Sequence, residues 1–219
     1  MMLTGKRMIW LYGILVAGLF ALIAYAMTLD EADRLAMLAE EGWVETSSAL
    51  LHFVCFAYVL IKGKFDFLKK YPYFVLFPLL FGMRELDFQK RFTEISIYKI
   101  SYYLGPAMSW QAKVIGGLIT LKIAVLGLWM IKRHYRQFWQ GLKNRSVIAY
   151  GALVTISLAC MARGVEKGKD LLGFAHESAV YIFAEAAEEI WELGFPIAMI
   201  LTFAYYFHSR AQAGVDGEN

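Results

Sequence analysis

The chain alternates between long hydrophobic stretches and short charged connectors. The first stretch runs from Met8 to Met27, twenty residues without a charge. A helix needs about twenty apolar residues to cross a hydrocarbon core of about 30 Å. Five more stretches follow, approximately at residues 46–61, 71–83, 114–131, 146–162 and 193–207. This pattern predicts an all-α, polytopic membrane bundle of about six transmembrane helices.

A single integral membrane domain over residues 1–219 is expected, because no Gly/Ser-rich linker or low-complexity tract divides the chain. Lys6 and Arg7 precede the first stretch, as in a secretory signal, but a signal's apolar region is usually about 7–15 residues long. We therefore interpret this stretch as a retained first span. With neighbouring polar residues included, the predicted spans cover approximately residues 8–27, 42–62, 70–88, 112–132, 145–163 and 188–208.

Composition and charge distribution agree with a membrane protein and predict its orientation. Hydrophobic residues make up 59% of the chain and charged residues 19%, against about 45–50% and about 25% in soluble domains. The connectors 62–70 and 132–145 are basic, whereas 29–45 and 163–192 are acid-rich. Basic connectors favour the cytoplasmic side, so we expect an inner-membrane protein with both termini cytoplasmic. The lipid bilayer is its expected partner; an oligomeric copy or a partner subunit stays open, and no nucleic acid is expected.

Three predicted spans are too short to cross the bilayer on their apolar residues alone. The second, third and sixth stretches contain only 16, 13 and 15 uninterrupted apolar residues, so neighbouring polar residues must enter the membrane or the bilayer must thin. Charged residues lie at the outer ends of these spans. They are Glu41 and Glu45 on the second span, Arg84, Glu85 and Asp87 on the third, and Glu188, Glu189 and Glu192 on the sixth. The sequence therefore predicts a shared polar site near the outer face of the membrane.

Helical phase places the acids of each span on one side. At about 100° per residue, Glu41, Glu45 and His52 lie within about 40° of one another on the second span. Glu189 and Glu192 share a comparable stripe on the sixth span. Pro196 has no N–H to donate to the Glu192 carbonyl four residues earlier, so a free acceptor is expected beside that carboxylate.

Carboxylates clustered with an imidazole in a water-poor place take up protons or bind cations. Oxygen ligands suit a divalent ion such as Mg²⁺, Mn²⁺ or Ca²⁺, and His52 extends the choice to Zn²⁺ or Fe²⁺. The predicted metal ligands are Glu41, Glu45, His52, Glu85, Asp87, Glu189 and Glu192. The predicted catalytic groups are Glu45, Glu85, Arg84 and Lys122.

Lys122 has eight apolar residues before it and nine after it, which places it near the midplane of the fourth span. A charge at that depth is costly and normally faces the bundle interior with a partner, so Lys122 is expected to pair with an acid of the polar site. The connector 88–113 is expected to form an interfacial helix on the outer surface. Its bases Lys90, Arg91 and Lys99 also fit a lid that presents cations to a phosphate-bearing substrate.

Simpler interpretations exist for the same residues. Glu40, Glu185 and Glu188 fit solvated helix starts, where acids favour the positive end of the macrodipole. His52 fits a core histidine bonded to a neighbouring helix, and Arg84 fits an ion pair that ends the third span.

Three classes of function are compatible with the pattern. The first is a metal-assisted enzyme that acts on a lipid-linked or phosphate-bearing substrate in the membrane. The second is a transporter or channel for protons or divalent cations. The third is a non-catalytic subunit or scaffold whose intramembrane charges pair with a partner protein. The sequence carries no phosphate-binding Gly-rich loop, GxSxG or HExxH motif that would select one of them.

Overall fold

A computed structural model of the protein describes residues 4–39, 42–86, 88, 97, 100–106, 108–173, 175 and 178–215. All regular structure within these ranges is α-helical, which confirms the all-α part of the predicted fold class. The helices are α1 Gly5–Ala26, α2 Glu31–Leu38, α3 Trp43–Lys70, α4 Tyr73–Glu85, α5 Ile100–Leu104, α6 Trp110–Lys143, α7 Val147–Leu172 and α8 Ala179–Val215.

Five of these helices, α1, α3, α6, α7 and α8, are long and apolar enough to cross a membrane. The third predicted span corresponds to α4, whose 13 residues extend about 20 Å and fall short of a hydrocarbon core. The helices α6, α7 and α8 continue past the apolar stretches that predicted them. A count of six spans and the orientation of the termini remain predictions.

The helix α8 lies at the centre of the bundle and packs against α1, α3 and α7. Its small residues Ala186 and Ala187 are completely buried, and they share a core with Leu19 of α1 and Leu158 of α7. Short side chains on α8 let three neighbouring helices approach its backbone closely. This central position explains why side chains of α8 reach several partners at once.

The helices α3 and α4 form an antiparallel hairpin through Tyr71 and Pro72. Near the turn, the Phe67 and Phe74 rings stack with centroids 6.3 Å apart. Further along, a Cβ on Gly82 would lie 3.1 Å from the His52 Cβ, so the glycine permits close packing here. Because the pairing is antiparallel, the end of α4 lies beside the first turns of α3.

Gly116 is the one buried residue among the described residues of α6. Gly116 accommodates the Tyr102 ring, and Gly127 faces Phe77 of α4. Most of its large apolar side chains on the other sides are exposed. The connector 88–113, predicted to form an interfacial helix, contains the short helix α5 and the first turn of α6, whereas its bases Lys90, Arg91 and Lys99 lie outside the described residues.

A tight crossing of three helices provides a test of this packing. The Tyr12 hydroxyl of α1 lies 3.0 Å from the Thr202 Oγ1 of α8, and this pair passes directly over Gly151 of α7. We predict that Gly151→Ala lowers the free energy of unfolding by about 1–3 kcal/mol, because the added methyl overlaps the hydroxyl pair. Thermal unfolding in detergent, followed by tryptophan fluorescence, measures the change.

The matched control is Gly164→Ala on the same helix, where a Cβ would meet nothing within 4 Å. Since alanine favours a helix over glycine, this variant should unfold at the wild-type temperature or above. A Gly151→Ala protein as stable as Gly164→Ala would contradict the three-helix crossing.

Candidate functional site

The last turn of α4 carries an arginine and a glutamate that meet a glutamate of α8. The Arg84 Nη2 lies 2.5 Å from the Glu85 Oε1 and 2.9 Å from the Glu192 Oε1. The Glu85 and Glu192 side chains are only 5% and 14% exposed. A cation also suits the negative end of the α4 dipole, where Arg84 lies. The structure thus brings three of the predicted site residues into direct contact.

A second arginine, which sequence reasoning missed, completes the arrangement. The Arg163 Nη2 of α7 donates to the same Glu192 Oε1 at 2.9 Å, and its Nη1 contacts Glu166. One carboxylate oxygen therefore joins α4, α7 and α8. We call Arg84, Glu85, Arg163, Glu166 and Glu192 the Glu192 network. The available signal for Arg163 was its position as the first charge after the apolar stretch 146–162.

A separate ion pair links α7 and α8 further from the apolar core. The Lys169 Nζ lies 2.5 Å from the Glu188 Oε2, and both side chains are 12% exposed. The same ammonium lies 5.2 Å from the centre of the Tyr181 ring. Lys169 was assigned to a connector in the sequence interpretation, but it belongs to the last turn of α7.

The free carbonyl expected at Glu192 has a donor from another helix. Pro196 lies inside α8 and supplies no N–H to this oxygen. The Ser48 hydroxyl of α3 donates to it at 3.1 Å, and the Ser48 side chain is buried. A buried carbonyl without a donor would destabilise the fold, so Ser48 serves the backbone next to the network. Sequence reasoning predicted the acceptor but not its donor.

His52 lies one helical turn after Ser48 and is completely buried. Its Nδ1 lies 2.9 Å from the Ser48 carbonyl, an acceptor, so Nδ1 carries the hydrogen. The ring lies between Phe81 and Phe195, with centroid distances of 5.8 and 5.3 Å. Its Nε2 has no hydrogen-bond partner among the described residues. His52 is therefore not bonded to the predicted ligands, although the charges of the network lie near it.

Two further predicted acids surround the network. Glu189 of α8 has its strongest charge interactions with four other carboxylates, which belong to Glu192, Glu188, Glu45 and Glu85. Glu45 is partly buried in the first turn of α3. Carboxylates from α3, α4 and α8 thus lie within electrostatic range of one another at one end of the bundle.

The predicted metal site does not appear as a ligand cage. Within the described ranges, no group of three or more His, Cys, Asp or Glu side chains is placed to hold a metal ion. Glu41 and Asp87, both predicted ligands, lie outside those ranges. The carboxylates of Glu85 and Glu192 share Arg84 instead of facing a common vacant centre. A divalent ion therefore remains a prediction.

Lys122 does not belong to this site. It is exposed on α6, so the expectation that it faces the bundle interior and pairs with an acid of the polar site is wrong. The physical reason is the phase of α6. Gly116 and Gly127 allow rings of neighbouring helices to approach, and that glycine side turns Lys122 outward.

No protein-family model, curated protein or solved structure matches this chain. The arguments for its function therefore come from the chemistry of its own residues.

The bond between Ser48 and the Glu192 carbonyl provides a test of the site. We predict that Ser48→Ala lowers the free energy of unfolding by about 1–3 kcal/mol, because it leaves a buried carbonyl without a donor. In a Pro196→Ala background the loss should be smaller, since that substitution introduces a backbone N–H four residues after Glu192. Unfolding in detergent of the two single variants and the double variant measures the coupling.

Ser47→Ala is the control, because it removes a hydroxyl from the adjacent position on α3. Its effect on the free energy of unfolding should be the same with and without the Pro196→Ala substitution. An equal cost of Ser48→Ala in both backgrounds would show that Ser48 does not act on the Glu192 carbonyl.

Proposed function

We propose that this protein is a proton-translocating membrane protein and that the Glu192 network is its proton-binding site. The observation that carries the proposal is the excess of carboxylates over bases at the network. Three carboxylates contact two guanidiniums and one exposed ammonium, that of Lys167, whose Nζ lies 3.5 Å from the Glu166 Oε1. Glu189 adds a fourth carboxylate, whose largest charge interactions are with other acids. In a water-poor environment such an excess is neutralised by protons or by a cation. Since the described carboxylates gather around arginines, we favour the proton.

The helices that build the network support a transport function. Transporter sites are commonly formed where helices are short or interrupted. Here α4 is only 13 residues long and contains Pro78, α8 contains Pro196, and α3 contains a non-helical residue, Lys64. Two of these three helices contribute charged residues directly to the network. Interrupted helices can change their relative arrangement at a low energetic cost, which translocation requires.

His52 extends the network along α3, toward the middle of that helix. The hydrogen on Nδ1 leaves Nε2 with a lone pair, and this atom has no bond to any described residue. An imidazole with a hydrogen on Nδ1 and a lone pair on Nε2 can accept a proton at Nε2 and release the proton at Nδ1. In the proposed function, His52 relays protons between the network and the far side of the membrane.

The expected orientation gives this route a direction. With the termini in the cytoplasm, as the basic connectors predict, the network lies toward the outer face and His52 lies deeper. Protons would enter at the acid-rich end, bind at the network and continue past His52. An inner-membrane location follows from the same reasoning.

Proton movement can be measured directly in liposomes. The purified protein is reconstituted into liposomes that contain a trapped pH-sensitive dye. We predict that the lumen of these liposomes becomes acidic when a potassium diffusion potential makes it electrically negative. Glu85→Gln and Glu192→Gln should each reduce the rate at least tenfold, because an amide cannot carry the proton. Glu31→Gln, an exposed position on α2, should conduct as the wild type does.

Wild-type protein that acidifies no faster than empty liposomes would refute the proposal. Full activity of both network variants would show that protons move by another route. Elemental analysis of the same preparation tests the metal prediction, and one stoichiometric divalent ion per chain would favour metal-assisted chemistry.

The role of His52 can be separated from its packing. We predict that His52→Phe lowers the proton flux at least tenfold while the protein remains folded, because the new ring still packs against Phe81 and Phe195 but binds no proton. Flux in liposomes and thermal unfolding are measured on the same preparation. Unchanged flux would identify His52 as a core residue without a relay function.

A second candidate function is an activity on an anionic, membrane-associated substrate. A mostly apolar cavity of about 190 Å³ lies between α1, α7 and α8, and it includes Met161 and Trp191. Trp191 directly precedes Glu192 in the chain, and Met161 lies two residues before Arg163. An acyl chain in the cavity would place its headgroup near a guanidinium that can bind phosphate. Release of a modified lipid, measured by mass spectrometry, would favour this candidate over proton translocation.

A further inference from the structure

The exposed side of α6 carries a charge where a membrane helix normally carries none. Lys122 lies in the middle of the otherwise uncharged stretch 114–131 and is exposed. Each end of that stretch is about 12 Å away along the helix axis. A lysine near a helix end can extend its ammonium to the interface, but from the middle of a span its four-carbon stem is too short. Facing lipid alone, this side chain would be strongly unfavourable.

The residues around Lys122 form a continuous apolar surface. Ile115, Leu118 and Val125 lie within about 60° of Lys122 around the helix, and all three are exposed. We call these four residues the Lys122 face. The contacts of α6 with its own chain lie elsewhere, where the Tyr102 ring covers Gly116 and where, two turns after Lys122, the Trp129 ring packs against the Tyr73 ring of α4. Nothing in the described part of the chain covers the Lys122 face.

We propose that the Lys122 face binds a transmembrane helix of a partner protein and that this helix carries a carboxylate near its midplane. Apolar side chains would supply the packing surface, and the ion pair would supply specificity. In a medium without water, a lysine and a carboxylate from two helices stabilise each other because neither has another partner.

A second copy of this chain does not fit the face. In a symmetric dimer the same surface meets itself, and Lys122 would face its own twin, a repulsive arrangement. Among the described acids, Glu85 and Glu192 are bonded to Arg84 with side chains only 5% and 14% exposed, so they do not reach the surface where Lys122 of a second copy would lie. The occupant must therefore bring its own carboxylate.

A designed helix can test this charge preference. The full-length protein, labelled at its C-terminus with an acceptor dye, is reconstituted with a donor-labelled Leu/Ala transmembrane peptide. The peptide carries glutamate, leucine or lysine at its central position. We expect energy transfer to show at least tenfold tighter association of the glutamate peptide than of the leucine peptide with wild-type protein. Lys122→Met should abolish the preference, and Lys122→Glu should transfer it to the lysine peptide.

Lys132→Met is the matched control, because Lys132 is also exposed on α6 but lies outside the apolar stretch. It should retain the wild-type preference. The proposal is overturned if wild-type protein binds the glutamate and leucine peptides equally, or if Lys122→Met keeps the preference. It is also overturned if copies of the protein associate with each other through Lys122. Lys122→Met exchanges a charge for an apolar side chain at an exposed position, so the variant should fold.

Discussion

One carboxylate oxygen bonded to two guanidiniums connects three helices of this protein. The Glu192 Oε1 accepts from Arg84 of α4 and Arg163 of α7, each at 2.9 Å, while Glu192 itself belongs to α8. Breaking such a shared contact leaves two cations without their common anion, which costs more than losing an isolated surface pair.

The lengths of hydrophobic stretches predicted the helices well, because a stretch without charges reports which residues avoid water. For α4 the 13-residue stretch and the 13-residue helix nearly coincide. For α8 the stretch 193–207 marks less than half of a helix that runs from Ala179 to Val215. The remaining turns of α8 are polar but still form helical backbone hydrogen bonds. A search for apolar stretches therefore could not show that they are helical.

The depth argument grouped Arg84, Glu85 and Glu192, and Arg84 contacts both glutamates in the structure, but the argument could not choose their other partners. Partner choice depends on how α7 and α8 pack, and a single sequence does not report packing. Arg163 and Ser48 were missed for that reason. Lys122 was assigned inward because buried charge is usually paired; the glycines of α6 were the better guide, since they mark the side that approaches other helices.

The proton proposal links the chemistry of Glu192 to the arrangement of the helices. In the proposed function, a proton taken up by the network cancels one of the negative charges around Arg84 and Arg163, so the ionic contacts of α4 and α7 with α8 would weaken on proton binding. The Ser48 bond to the Glu192 carbonyl is unaffected by that change and keeps α3 attached to α8. Because Lys169 and Glu188 still join α7 to α8, proton binding would favour movement of α4 relative to the rest of the bundle, which is how a local charge change can shift a bistable bundle between two states.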